Sequence, residues 1–300
     1  MPAKFHAPDN LRKAVMVAFV LFLQAIAYSS KTELAYCNGS SKPGSVTLNV
    51  LTESEKAAGW ILLFDGKTTR GWRGFRRQEF PGGCWRVEKG CLHRVPDGSQ
   101  PKIAQCGDII STETFSSFEL KFEWCISPGA NSGVKYLISE DRPQSWEQAY
   151  LEYHYADLLR EAQENGTSTN LTSEIFRYTP IGFEFQLIDD EANEDARSGP
   201  KRVTGALYDL VGPSRRPVRP PGQFNEGRIV VQGLHIEHWI NGTKVLEFER
   251  GSQDLKTCIA RSKFAKMEGF GSVSRGHIDL QDHDGEIWFR NIRIRLLDDK

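Results

Sequence analysis

GHIDLQDHDGEIWFRNIRIRLL, residues 276–297, decides how the rest of this 300-residue chain is read. Its side chains split by parity. Ile278 and Leu280 point one way, while Asp279, Gln281 and His283 point the other. Asp284-Gly285 makes a turn, Ile287 and Phe289 resume an apolar face, and Ile292, Ile294 and Leu296 continue it with a shift in phase. A closing strand with one apolar and one polar face suits a sheet that packs on a core and works on its other side. Gln281 and His283 are therefore the first site candidates.

The same alternation runs outward through the chain. FELKFEWCI (residues 118–126) turns Phe118, Leu120, Phe122, Trp124 and Ile126 inward and Glu119, Lys121 and Glu123 outward. GFEFQLI (182–188) sends Phe183, Phe185 and Leu187 to one side, and Glu184 and Gln186 to the other. WRVEKGCLH (85–93) reads as a hairpin turning at Lys89-Gly90, and RIVVQGLHIEHWINGTKVLEFE (228–249) as a hairpin chain with Asn241-Gly242 at a tight turn. The exception is residues 144–165, where Trp146, Ala149, Tyr150 and Tyr153 recur at helical spacing. That insertion covers a sheet edge or lids a site. The pattern predicts an all-β fold: a two-sheet antiparallel sandwich, a concanavalin A-like jelly roll with one helical insertion.

Residues 1–27 read as a signal peptide, with Lys4, Arg12 and Lys13 preceding an apolar run that ends Ala25-Ile26-Ala27. Residues 28–55 are a polar linker, and 56–300 form the sandwich domain. The chain is expected to be exported, to the periplasm or outside the cell, and to meet a membrane only through an uncleaved signal. Export permits disulfides. Cys84, Cys91, Cys106 and Cys125 could pair, with connectivity open, and no cysteine spacing suits structural zinc. Lys plus Arg number 38 against 39 Asp plus Glu, so no field draws nucleic acid. No glycine-rich fingerprint follows a strand, so no nucleotide cofactor is expected.

The polar strand positions gather Glu123, Lys135, Glu184, Gln186, Gln281 and His283. Glu123 and Glu184 could be the carboxylate pair of a conventional glycosidase. Glu184, Gln186 and His283 offer mixed oxygen and nitrogen ligands to a divalent metal ion, though their spacing matches no metal motif. Asn131, Tyr208 and His238 complete the substrate-binding candidates.

Several ordered motifs carry a family resemblance: GWILLFDGKTTRGW (59–72), PGANSGVKYLI (128–138), GFEFQLIDD (182–190), GALYDLVGPS (205–214), HIEHWINGTKVLEFERGS (235–252), and LQDH followed by FRNIRI (280–294). Together they resemble the 3-keto-disaccharide hydrolase family over residues 59–297. Departures fall at Thr68-Thr69-Arg70 and in residues 222–231, away from the proposed site. The resemblance implies the same sandwich and an enzyme cleaving 3-keto glycosides. A base removes the proton on C2, an electrophile holds the enolate oxygen, and the group on C1 leaves before water adds. On that expectation Glu184 or His283 is the base and Lys135 the electrophile. A separate sugar 3-dehydrogenase would supply the ketone. The competing expectation is a non-catalytic carbohydrate-binding module on the same fold.

Overall fold

The computed structural model describes residues 47–96, 107–154, 156 and 178–298. The expected signal segment, most of the linker, Cys106 and residues 155 and 157–165 of the insertion lie outside the described residues. Among the described residues, the first seven strands are β1 (Trp60–Leu62), β2 (Trp72–Gly74), β3 (Trp85–Glu88), β4 (Cys91–Arg94), β5 (Ile109–Ser111), β6 (Phe118–Ile126) and β7 (Asn131–Ile138). They continue as β8 (Phe183–Ile188), β9 (Asn225–Gln232), β10 (His235–Ile240), β11 (Thr243–Glu249), β12 (His277–Leu280) and β13 (Ile287–Leu296). Four α-helices punctuate them: α1 (Glu53–Ala57), α2 (Ser145–His154), α3 (Glu194–Arg197) and α4 (Gln253–Ala260).

The strands form two antiparallel sheets. One has eight strands, ordered β11-β10-β9-β6-β13-β4-β3 with β1 also on β13; the other has five, ordered β2-β5-β12-β7-β8. The inner faces meet where parity placed the apolar residues. Phe122 and Trp124 of β6 pack on Phe185 of β8 at 5.7 and 6.2 Å between ring centroids. Stripping such rings of water drives the two layers together, by about 1.5–3 kcal/mol for each large side chain fully buried. The expected two-residue turns are present: Lys89-Gly90 and Asn241-Gly242 both have positive φ, as a type I′ hairpin needs.

The phase shift in β13 has a physical cause. Asn291 adopts φ 51°, and the register with β6 slips between Arg290 and Arg293. This bulge is braced by Asn49, whose amide donates to Asn291 Oδ1 at 2.6 Å while the Asn291 amide donates to Asn49 Oδ1 at 2.8 Å. The ordered domain thus takes in the end of the expected linker, including α1 with its Thr52–Glu55 capping box.

A second bulge lies in β7. His277 pairs with Ile138 and Asp279 with Lys135, so β7 carries one residue more than β12 between those pairs. Leu137 absorbs it at φ 55°, a conformation that disfavours bulky residues, with its side chain held in the core. Gly276 faces this kink. A Cβ there would stand 2.4 Å from the Leu137 carbonyl carbon, so only glycine fits.

Cys84 and Cys125 are disulfide-bonded, whereas Cys91, one of the four candidates for pairing, is a free buried thiol. No described helix is long and apolar enough to cross a membrane.

Candidate active site

The outer face of the five-stranded sheet holds the site. Asp279 of β12 lies opposite Lys135 of β7, and Lys135 opposite Glu184 of β8. Directly opposed residues share a face, so antiparallel register alone sets an acid–base–acid row across three strands. Asp108, just before β5, adds a third carboxylate. Lys135 Nζ donates to Asp108 Oδ2 at 2.6 Å, lies 3.9 Å from Asp279 Oδ1, and reaches the Pro180 carbonyl at 3.4 Å.

A second row lies beside the first. Gln186 pairs with Gly133, and the Gln281 amide donates to the Gly133 carbonyl at 3.0 Å. Gly133 is small for a reason: a Cβ there would lie 2.3 Å from Glu184 Oε1 and 2.8 Å from the carboxyl carbon. Glu184 therefore lies across the gap that the glycine leaves. Gln186 Nε2 donates to Asn131 Oδ1 at 3.0 Å, but the buried Oε1 atoms of both Gln186 and Gln281 have no hydrogen-bond partner. Leaving a buried acceptor unsatisfied costs about 1–3 kcal/mol, which a hydroxyl donor on a ligand would recover.

These rows floor a cleft of about 210 Å³. Tyr150, Tyr153 and His154 of α2 form one wall, residues 178–182 another, and Tyr208, Lys263, Phe264 and Met267 a third. The insertion therefore reaches the cleft as well as packing Trp146, Ala149 and Leu151 into the core. Tyr208 is held by its hydroxyl, which donates to Asp195 Oδ2 at 2.8 Å.

The electrostatics follow from burial. Desolvation raises the carboxyl pKa of Asp108 and Glu184 despite Lys135, and with the Asp108 charge it drives that of Asp279 well above the carboxylate range. Burial alone would lower Lys135, but Asp108, Asp279 and Glu184 outweigh it and hold the ammonium charged. Lys263 lacks such company. Burial pushes it down to about 8, with Lys135 and Arg202 adding to the effect and Glu184 and Asp209 opposing it.

Of the residues expected from the sequence, the cleft brings together Glu184, Lys135, Gln186, Gln281, Asn131, Tyr208 and His283. His283 stands at the exposed rim, beyond the end of β12, with Nδ1 3.4 Å from Asp284 Oδ2. Two expectations are corrected. Glu123 belongs to the eight-stranded sheet, where it accepts from Arg290 Nε and Asn291 Nδ2, both at 2.7 Å, so it cannot pair with Glu184 across a sugar. His238 is sealed between the sheets. Its Nδ1–H donates to the Gly205 carbonyl at 3.1 Å and its Nε2 accepts from the Tyr136 hydroxyl at 2.8 Å. Parity alone could not reveal that a polar ring faces inward when a buried hydroxyl waits for it.

The expected metal set, Glu184, Gln186 and His283, lines this one cleft. Glu184 and His283 do not belong to any group of three described His, Cys, Asp or Glu residues with donor atoms mutually within 4.8 Å. The group that meets that distance is His235, Glu237 and Glu247 on the far sheet, where Lys244 already lies 3.1 and 2.6 Å from the two carboxylates.

Asp108, Asp279 and Lys263 are absent from the expected set, whereas the α2 tyrosines stand where the lid reading of the insertion put them. Asp279 shares parity with Gln281 and was legible; Asp108 precedes its strand, and Lys263 sits in an aperiodic loop that gave no signal.

Comparison with known proteins gives the family and the fold. Residues 59–295 match the family described as the 3-keto-alpha-glucoside-1,2-lyase-like domain. A 3-keto-disaccharide hydrolase of Bacteroides thetaiotaomicron is 30% identical over 255 residues, covering 81% of this chain and 80% of that protein. A crystal structure from Parabacteroides distasonis, assigned provisionally to the glycosyl hydrolases, is 28% identical with a TM-score of 0.64, covering 84% of this chain and 100% of that one. Another from the same organism, 19% identical with a TM-score of 0.50 over 87% and 95% of the two chains, shares the fold. With the match running from β1 into β13 and through every strand that floors the cleft, this chain belongs to the 3-keto-alpha-glucoside-1,2-lyase-like family.

Proposed function

We propose that the protein is an exported carbohydrate-active enzyme that cleaves the glycosidic bond of 3-keto-disaccharides or related 3-keto glycosides. The observation that carries the reading is Glu184: a buried carboxyl, raised in pKa, facing a cleft beside amide oxygens that lack donors. A ketone at C3 acidifies the C2 proton. Glu184 removes it, the electron density that develops at C3 is taken up at Lys263, and the C1 substituent departs with a proton to its oxygen. Water then adds at C1. Lys135, tied to Asp108 and Asp279, balances the charge of the floor, which moves the electrophile's role from Lys135 to Lys263. Gln186, Gln281 and Asn131 receive sugar hydroxyls, and His283 at the rim serves the departing group.

A separate sugar 3-dehydrogenase would make the ketone, since oxidation at C3 must precede this elimination. The test is product formation from a 3-keto-disaccharide and from its unoxidised parent, each with and without chelator. Cleavage of the ketone alone supports the reading. Chelator sensitivity would place a divalent ion with Glu184, Gln186 and His283. Saturable binding without turnover of either sugar would make the protein a carbohydrate-binding module instead.

A further inference from the structure

Lys263 differs from Lys135 and Arg202. Lys135 is bound to carboxylates, and Arg202 is held by Asp195 and Asp209 at 2.6 and 2.9 Å. Among the described residues no carboxylate pairs with Lys263. Its Nζ lies 4.4 Å from the Tyr208 ring centroid and 5.2 Å from that of Phe264, two faces that lower the local dielectric without accepting a proton. Its main chain is fixed, because its amide donates to Asp209 Oδ2 at 2.9 Å. The same Tyr208 ring carries the Arg202 guanidinium at 5.6 Å, which adds a second positive charge nearby. A lysine desolvated beside another cation is the physical recipe for a nucleophilic amine.

Resting on the reading of the cleft as a 3-keto glycoside site, we infer that Lys263 Nζ condenses with the C3 ketone of the substrate to form a Schiff base. The amine adds to the carbonyl carbon, and the oxygen leaves as water to give an iminium. Glu184 takes the C2 proton, and the C–H electron pair becomes the C2=C3 bond of an enamine as the iminium pair returns to nitrogen. The nitrogen pair then re-forms C=N, the C2=C3 pair moves to C1–C2, and the C1–O bond breaks with its electrons going to oxygen, which takes a proton. One water adds across C1–C2 and a second hydrolyses the iminium, releasing the 3-keto sugar and Lys263. The net reaction consumes one water. Burial lowers the Lys263 pKa to about 8, which eases loss of the ammonium proton before the amine attacks. Lys135 cannot do so, because its carboxylates keep it charged.

The test is borohydride trapping on the wild-type protein during turnover of a non-reducing 3-keto-disaccharide, followed by intact mass and peptide mapping. The expected result is a keto-sugar adduct, less one water and plus two hydrogens, on Lys263 and absent with the parent disaccharide. Lys263→Arg keeps a cation but loses the nucleophile, and kcat should fall at least about 100-fold with the thermal midpoint unchanged. Ketone cleavage with no adduct, or with near wild-type activity in Lys263→Arg, overturns the Schiff base and leaves the site reading standing. Absence of ketone cleavage by the wild type overturns both.

Discussion

Glu184 is a base because of what surrounds it. Its strand hides it from water, Gly133 gives its carboxylate room, and Lys135, the cation opposite it, is already paired with Asp108. Burial raises its pKa above the ordinary 4.5, and only the ionised form can accept the C2 proton. The acidic limb of kcat/KM should therefore rise through a pKa above 4.5 and vanish in Glu184→Gln, which should lose about 10²–10⁴-fold in kcat while still binding sugar. Gly133→Ala probes position instead of chemistry. It should displace the carboxylate and cost up to about 100-fold in kcat with little change in thermal midpoint. Glu123→Gln is the contrasting case. It weakens the bonds to Arg290 and Asn291, costing about 1–3 kcal/mol by urea denaturation, and leaves kcat unchanged. Lys135 belongs to the floor's stability. Lys135→Met strands Asp108 and Asp279 in a dry site and should cost about 3–5 kcal/mol by the same measurement.

At the level of elements, the site is a product of strand register. β12, β7 and β8 present Asp279, Lys135 and Glu184 as one row because each strand alternates faces, and the bulge at Leu137 keeps β7 in step with β12 where the row forms. Gly276→Ala would press a methyl into that bulge. It should destabilise by about 1–3 kcal/mol and disturb Lys135, read as a lowered urea midpoint with reduced kcat. Period-two alternation is why the strands, both hairpin turns, the phase shift in β13 and the polar face of β8 were legible in the sequence. What alternation does not encode is which sheet a strand joins. Glu123 and Glu184 look alike in sequence, yet β6 and β8 lie in different layers. Loops escape it altogether: Asp108 and Lys263 reach the cleft through turns with no period, and His283 lies past the end of the strand that was expected to carry it. His238 misled for the opposite reason, as a polar side chain turned inward to a hydroxyl.

Across the whole molecule, the eight-stranded sheet is the support and the five-stranded sheet the working layer, with the core between them. The helical insertion α2 brings aromatic rings to the far side of the cleft, where Tyr153 is half exposed. A sugar bound on the floor would be enclosed between amide acceptors below and rings above. The disulfide-bonded Cys84 and Cys125 suit an oxidising compartment. The account stands on one bond, C2–H, breaking before C1–O. The decisive measurement is turnover of a 3-keto-disaccharide carrying deuterium at C2, compared with the protium form. The account predicts a primary isotope effect on kcat/KM, and washout of the C2 label into solvent that disappears in Glu184→Gln. Cleavage at the same rate for both isotopes, with the deuterium retained at C2 of the product, would contradict it.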